Sequence, residues 1–125
     1  MTSTLWKEKT ILVVEDDDVS TEFLAEVLMP TGVQIISVSN GEEAVEACKN
    51  NKIDLVLMDI RLPVMSGHSA LIEIKKFNRD LIIIAQTAFA MSGDKEKYIS
   101  IGFDDYISKP IYPKDLIDLL SKYLD

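Results

Sequence analysis

Short apolar runs alternate along the chain with longer stretches in which apolar residues recur every three or four positions. Such runs, rich in Val, Ile and Leu, are typical of strands that are buried on both faces of a parallel sheet. They lie at residues 11–14, 34–38, 55–58, 81–85 and, more weakly, 106–107. The pattern therefore predicts five strands, each followed by a helix.

The helical stretches have an apolar face and recognisable start signals. Leu116, Leu120 and Leu124 recur at four-residue steps, which places them on one side of a helix near the end of the chain. Small polar residues followed by glycine mark the predicted helix starts at Asn40-Gly41, Ser66-Gly67 and Ser92-Gly93. Strands that alternate with helices imply right-handed crossovers and a three-layer α/β/α sandwich around a parallel sheet, for which we expect the strand order 2-1-3-4-5.

Length, charge and cysteine content narrow the class of protein. The 125 residues suit one domain, for which we expect a tail at residues 1–8 and a folded unit at residues 9–125. A formal net charge of −8 makes nucleic acid and anionic membranes poor direct partners. Cys48 is the only cysteine, so no internal disulfide can form. The longest apolar run, residues 81–85, is far shorter than the roughly 20 residues of a membrane span. We therefore expect a cytoplasmic protein.

Charged and hydroxyl side chains stand where the predicted strands end. The first strand is followed by Glu15 and Asp16, and the third ends at Asp59. The fourth ends at Thr87 and the fifth at Lys109. Parallel strands bring these ends to one edge of the sheet, where ligands bind in folds of this kind. With strands 1 and 3 adjacent, the three carboxylates converge, and like charges so close together either raise one another's pKa or require a cation. Oxygen ligands of this type suit Mg²⁺.

Acidic residues at a strand-to-helix junction also have a purely structural use, because carboxylates cap the free N–H groups of a helix start. We prefer this interpretation for Asp17 and Asp18, and it is an alternative for Asp16. Helix capping does not explain Asp59, which ends a strongly apolar run and precedes a loop.

The same side chains supply the components of phosphoryl transfer to a carboxylate. A carboxylate such as Asp59 can attack phosphorus and form an acyl phosphate. The reaction also needs a divalent cation and further positive charge on the phosphoryl oxygens. Glu15 and Asp16 can hold the cation, Lys109 supplies an ammonium, and the Thr87 hydroxyl can donate a hydrogen bond.

Four stretches of the chain resemble the receiver domains of response regulators. They are Ile-Leu-Val-Val-Glu-Asp-Asp at 11–17, Val-Leu-Met-Asp-Ile-Arg-Leu-Pro-Val-Met-Ser-Gly at 56–67, Ala-Gln-Thr-Ala at 85–88 and Asp-Tyr-Ile-Ser-Lys-Pro at 105–110. The stretches stand in the order and spacing of that family, and the resemblance spans about residues 9 to 124. Together they are a specific signature.

The resemblance implies a role for each residue of the acidic site. Asp59 corresponds to the phosphoryl acceptor. Asp16 corresponds to the more direct ligand of Mg²⁺ and Glu15 to its acidic companion. Arg61 stands at the position whose backbone carbonyl binds the metal.

The resemblance also implies a switch. Thr87 corresponds to the hydroxyl that moves toward the phosphoryl group, and Tyr106 to the aromatic residue that turns inward behind it. Lys109 corresponds to the family's lysine, and the bond to Pro110 is then cis. We also expect the bulky Phe89 to shield the acyl phosphate from water.

The implied function is a phosphorylation-dependent switch in a two-component phosphorelay. A sensor histidine kinase or a histidine phosphotransfer domain donates the phosphoryl group, and a downstream protein recognises the surface of helix 4, strand 5 and helix 5. The domain is then no free-standing metabolic enzyme, although it catalyses its own phosphorylation and dephosphorylation. A stand-alone regulator and a receiver at the carboxyl end of a hybrid kinase both stay open.

Three other functions compete with this interpretation. A phosphatase of the haloacid-dehalogenase type uses an Asp nucleophile, but it requires a second Asp where this chain has Arg61. A flavodoxin-like flavin module shares the expected topology, yet the four carboxylates at residues 15–18 would repel the flavin phosphate. A receiver-like binding module that is never phosphorylated is disfavoured by Asp59, Thr87 and Lys109.

Overall fold

The structure, a computed structural model, describes residues 5–62, 64–88 and 94–125. Five strands alternate with five helices in the described chain, as the apolar pattern predicts. The strands are β1 (Thr10–Val14), β2 (Gln34–Val38), β3 (Leu55–Asp59), β4 (Ile82–Thr87) and β5 (Asp105–Ser108). The helices are α1 (Asp18–Leu28), α2 (Gly41–Asn50), α3 (Gly67–Phe77), α4 (Asp94–Ile101) and α5 (Pro113–Leu124). Phe89 and the predicted helix start at Ser92-Gly93 lie outside the described residues.

The five strands form one parallel sheet in the order β2-β1-β3-β4-β5, which confirms the predicted fold class. Strand β3 is buried along its whole length, because helices cover both faces of the sheet. One apolar core cluster joins the sheet to α2, α3 and α4, and the other joins it to α1 and α5. The site therefore stands at the edge of a sheet that is held between two helical layers.

Side-chain caps fix the starts of three helices. Asp17 accepts a hydrogen bond from the backbone N–H of Ser20 at the start of α1, as predicted, whereas Asp18 is the first helical residue. Asn40 caps α2 and Ser66 caps α3 in the same way, so both predicted starts are confirmed. These caps satisfy N–H groups that the first turn of a helix leaves without a partner.

The N-terminal segment is attached to the sheet by Trp6. Its side chain is 2% exposed within the cluster that also contains residues of α1 and α5. The backbone N–H of Trp6 donates to the carbonyl of Thr31, and its indole Nε1 donates to Asp125 Oδ1 at 2.8 Å. The boundary expected at residue 9 stays a prediction. Among the helices of the described chain, none combines the length and apolar character needed to span a membrane.

Candidate functional site

The site is built at the carboxyl edge of the sheet. Asp59 and Thr87 are the last residues of β3 and β4, and Glu15 and Lys109 each follow a strand directly. The parallel register pairs Asp59 with Gln86, the residue before Thr87. The sheet thus brings side chains from four strands to one place.

Three carboxylates converge at this edge. Oxygen atoms of Glu15, Asp16 and Asp59 lie within 4.8 Å of one another. Glu15 and Asp59 are buried, at 4% and 7% exposed, whereas Asp16 is exposed. The predicted convergence is therefore present. Three hard oxygen donors, one of them open to water, fit a divalent cation that keeps part of its hydration shell.

Lys109 provides positive charge to the cluster. Its Nζ donates to Glu15 Oε1 at 3.0 Å and to Asp59 Oδ2 at 3.1 Å. Partial burial lowers the pKa of Lys109, but the hydrogen bonds to the two carboxylates outweigh it and leave the pKa above its ordinary value. Burial raises the pKa of Glu15, and the charge of Asp59 adds to this against the hydrogen bond from Lys109. The single ammonium of Lys109 thus forms ion pairs with two buried carboxylates that repel each other.

The backbone holds Asp59 in a fixed position. The N–H of Arg61 donates to Asp59 Oδ1 at 2.9 Å, so both carboxylate oxygens of Asp59 accept hydrogen bonds. Gly67, at the start of α3, passes so close that a Cβ there would collide with the carbonyl oxygen of Asp59. A residue without a side chain is required at this approach. The Arg61 side chain is exposed.

Thr87 connects the site to α4. Its side chain is buried, and its Oγ1 lies 3.4 Å from the hydroxyl oxygen of Tyr98. The Tyr98 ring packs at a tilt against Tyr106, with 6.1 Å between ring centroids. From the sequence, packing is the preferred role for Tyr98, with contact to a partner as the alternative; its contact with Thr87 is not predictable, because it depends on how α4 lies against the sheet. The backbone N–H of Lys109 donates to the Thr87 carbonyl at 2.7 Å, and the Lys109-Pro110 bond is cis, as the resemblance implies.

A cleft of about 640 Å³ lies at this edge of the sheet, and its lining includes Glu15, Asp16, Asp59, Thr87 and Lys109. Its wall also includes Ser20, Ala88 and Lys97. Ala88 is small and exposed at this wall. The cleft can admit a group that carries a phosphoryl, beside an acceptor carboxylate and an ammonium.

Comparison with protein families matches residues 11–121 to a model described as "Response regulator receiver domain". The chain is 38% identical over 122 residues to hybrid signal transduction histidine kinase G of Dictyostelium discoideum. That match covers 94% of this chain but 4% of the kinase, so the chain spans a small part of that relative. It is also 35% identical over 122 residues to the polar-differentiation response regulator DivK of Brucella anthropi, covering 93% of this chain and 96% of that protein.

Solved structures give the same picture. The receiver domain of a sensor histidine kinase of Pseudomonas aeruginosa, with a magnesium ion coordinated in its active site cleft, is 36% identical with a TM-score of 0.85. The similarity covers 93% of this chain and 97% of that one. A co-crystal structure from Saccharomyces cerevisiae contains a histidine phosphotransfer signalling protein and the receiver domain of its downstream response regulator. It matches at 29% identity and a TM-score of 0.86, over 93% of this chain and 88% of the other.

Proposed function

Because the chain belongs to the family of response regulator receiver domains, we propose that it acts as a phosphorylation switch with Asp59 as the phosphoryl acceptor. One observation carries the proposal: the Asp59 carboxylate lies beside two other carboxylates and in contact with the Lys109 ammonium, at the wall of an accessible cleft. This arrangement provides a nucleophile, a cation site and fixed positive charge in one place.

We further propose that Asp16, Asp59 and the backbone carbonyl of Arg61 bind Mg²⁺ directly, with Glu15 as the acidic companion. The donor set supports this assignment, since clustered carboxylates without enough positive charge favour a divalent cation. The magnesium ion in the cleft of the related Pseudomonas receiver domain supports it as well. When bound, the ion supplies positive charge to the phosphoryl oxygens.

The phosphoryl group comes from a phosphohistidine. A carboxylate oxygen of Asp59 attacks phosphorus as the bond from phosphorus to the imidazole nitrogen breaks, and the electron pair of that bond stays on the nitrogen, which then takes a proton. Lys109 moves its hydrogen bond from Asp59 to a phosphoryl oxygen, and Thr87 donates to another. The new group adds about −1.5 to −2 charges and strong acceptor atoms.

The donor is a sensor histidine kinase or a histidine phosphotransfer domain. The relationship to a hybrid histidine kinase and the solved complex of a related receiver with a phosphotransfer protein support this choice. The phosphorylated domain, which we assign to residues 9–125, changes the surface of α4, β5 and α5 as Thr87 moves and Tyr106 turns inward. A downstream protein recognises that surface, whereas the net charge of −8 disfavours direct contact with nucleic acid.

We do not expect the domain to turn over a metabolic substrate. Membership of the receiver family argues against the phosphatase and flavin alternatives, and Asp16, Asp17 and Asp18 would repel a flavin phosphate at the end of β1. The domain instead catalyses its own phosphorylation and dephosphorylation. Each phosphoryl group is used once as a signal.

The direct test is intact-mass spectrometry after incubation with Mg²⁺ and acetyl phosphate. The wild-type protein is expected to gain one phosphoryl group. Asp59→Asn and an excess of EDTA are each expected to abolish the gain, because the first removes the nucleophile and the second the cation.

Asp54→Asn is the matched control. Its carboxylate accepts a hydrogen bond from the backbone N–H of Thr10, the first residue of β1, away from the cleft. This variant is expected to be phosphorylated like the wild type. A folded wild-type protein that gains no phosphoryl group, or an Asp59→Asn variant that still gains one, would show that the acceptor is misassigned.

A further inference from the structure

The hydroxyl of Tyr98, on α4, lies within hydrogen-bonding distance of the hydroxyl of the predicted switch residue Thr87. Thr87 Oγ1 and Tyr98 Oη lie 3.4 Å apart, and either can donate. Thr87 is 3% exposed and Tyr98 is 8% exposed, so water has little access to either side chain. A hydrogen bond in such a place matters, because a buried hydroxyl that loses its partner is costly.

We infer that Tyr98 restrains Thr87 before phosphorylation and carries the movement of Thr87 to α4. The inference rests on the proposed function, since it assumes that Thr87 moves toward a phosphoryl group on Asp59. Tyr98 acts through Thr87 and is therefore a positioning residue. It adds a second aromatic residue to the switch for which the sequence suggests only Tyr106.

The contact between Thr87 and Tyr98 is long, so a small movement of the Thr87 hydroxyl is enough to break it. Its 3.4 Å separation exceeds the range of about 2.5–3.0 Å that is usual between two hydroxyl oxygens. On this inference, the shift of Thr87 toward a phosphoryl group on Asp59 lengthens the contact further and breaks it. Removal of the Tyr98 hydroxyl removes this one restraint on the Thr87 hydroxyl, so that Thr87 reaches the phosphoryl group at a lower cost.

The packing of the Tyr98 ring explains how the loss of its contact with Thr87 affects the positions of residues in α4 and β5. The ring meets Phe103 edge-to-face at a centroid distance of 6.2 Å and lies tilted against Tyr106 at 6.1 Å. Lys97 places its Nζ 5.7 Å from the centre of the same ring and also lines the cleft. A tilt of Tyr98 thus displaces residues of α4 and β5 together, which couples the site to the proposed output surface.

Tyr98→Phe tests the inference, because it removes one oxygen atom and keeps the ring contacts. We expect the variant to be phosphorylated by acetyl phosphate about two- to threefold faster than the wild type at saturating Mg²⁺, the factor that corresponds to the weak end of one net hydrogen bond. The apparent affinity for beryllofluoride, which mimics the phosphoryl group, should rise by a similar factor of about two to three. The Mg²⁺ affinity should not change, since Tyr98 lies outside the cluster of three carboxylates.

Tyr112→Phe is the control, since Tyr112 is 62% exposed and its side chain makes no capping hydrogen bond to α5. A double-mutant cycle then separates restraint from a general loss of packing. In a Thr87→Ala background, Tyr98→Phe should give no acceleration, because the hydroxyl that Tyr98 restrains is missing.

Two results would overturn the inference. Equal or slower phosphorylation of folded Tyr98→Phe would mean that Tyr98 does not restrain Thr87. Acceleration that persists in the Thr87→Ala background would mean that Tyr98 acts by another route. Both leave the acceptor role of Asp59 intact, whereas a wild-type protein that is never phosphorylated rejects the proposed function and this inference with it.

Discussion

Asp59 and Asp105 are two buried carboxylates of one sheet, and they differ in the number of carboxylates that surround them. Asp59 is 7% exposed at the end of β3, and Asp105 is 6% exposed at the start of β5. Each lies within 4.0 Å of a lysine ammonium. Burial and a nearby lysine therefore do not by themselves mark Asp59 as the proposed phosphoryl acceptor.

The partners of Asp105 satisfy it locally. The Tyr123 hydroxyl donates to Asp105 Oδ2 at 2.8 Å, and the backbone N–H of Tyr106 donates to Oδ1 at 2.9 Å. Lys122 adds a more distant positive charge at 3.7 Å. These contacts tie α5 to β5, and they bring no second carboxylate onto Asp105. These contacts support a role for Asp105 in packing α5 against β5.

Asp59 is part of a surplus of negative charge. It shares the ammonium of Lys109 with Glu15, and the Asp16 carboxylate completes the cluster. Three negative charges against one positive charge favour a further cation or an added group that rearranges the contacts. The excess of like charge at one point, rather than burial, is thus the signal of function.

The largest expected difference, in phosphorylation rate and in free energy of unfolding, is between the replacement of Lys109 and the replacement of Lys122 by methionine. Lys109→Met should slow phosphorylation by about a hundredfold or more, since it removes charge that stabilises the transferring group. It should also lower the free energy of unfolding without Mg²⁺ by about 2–4 kcal/mol, because Glu15 stays buried without a cation. Lys122→Met, at an exposed site, should change that free energy by less than about 0.5 kcal/mol. Phosphorylation kinetics and urea unfolding measure both. Equal effects of the two variants would refute the comparison.

Replacement of the two aspartates by asparagine should change the free energy of unfolding by smaller amounts, with a loss at Asp105 and no loss at Asp59. Asp105→Asn should lower the free energy of unfolding by about 1–3 kcal/mol, because a neutral amide replaces the charged acceptor of the hydrogen bonds from the Tyr123 hydroxyl and the Tyr106 N–H. Asp59→Asn in Mg²⁺-free buffer should match or exceed the wild type, since it relieves repulsion from Glu15. Urea unfolding in EDTA measures both values. A clear loss of stability in Asp59→Asn would mean that the cluster is not overcharged.

The smallest effect concerns Tyr123 and alkaline pH. Burial, and then the hydrogen bond to Asp105, raise the pKa of Tyr123 from 10.0 to about 12. Below pH 10 the hydroxyl is protonated in both states, and between the two pKa values the unfolded chain loses this proton first. The free energy of unfolding should therefore fall with rising pH in this window.

Tyr123→Phe is the matched comparison for this slope, because the lysines titrate in both proteins. The variant should be less stable at neutral pH by about 1 kcal/mol, for the lost hydrogen bond. The difference from the wild type should shrink above pH 10. Chemical unfolding across this range provides the measurement, and a constant difference would mean that Tyr123 titrates normally.

The sequence predicts the parts of the molecule that local pattern controls. The apolar runs place all five strands to within two residues at each end, and Asn40 and Ser66 mark helix starts correctly because capping involves only the next three residues. Convergence of Glu15, Asp16 and Asp59 is also predictable, since parallel strands must end at one edge.

Contacts between parts of the chain that are distant in sequence cannot be predicted in this way. The sequence does not reveal the partner of Trp6, whose buried indole donates a hydrogen bond to Asp125, 119 positions away. Likewise, Tyr98 fits an ordinary helix face, and its hydroxyl reaches Thr87 only because of the angle at which α4 packs. Such pairs depend on tertiary geometry, and hydrophobic periodicity indicates only local secondary structure.

The hydrogen bond between Trp6 and Asp125 has a consequence for protein architecture. It brings the two described ends of the chain together on one side of the domain. A unit of this shape can be joined to neighbouring modules at a single point, so that a longer polypeptide enters and leaves without crossing the cleft. The same fold then suits a protein of one domain and one segment of a longer polypeptide.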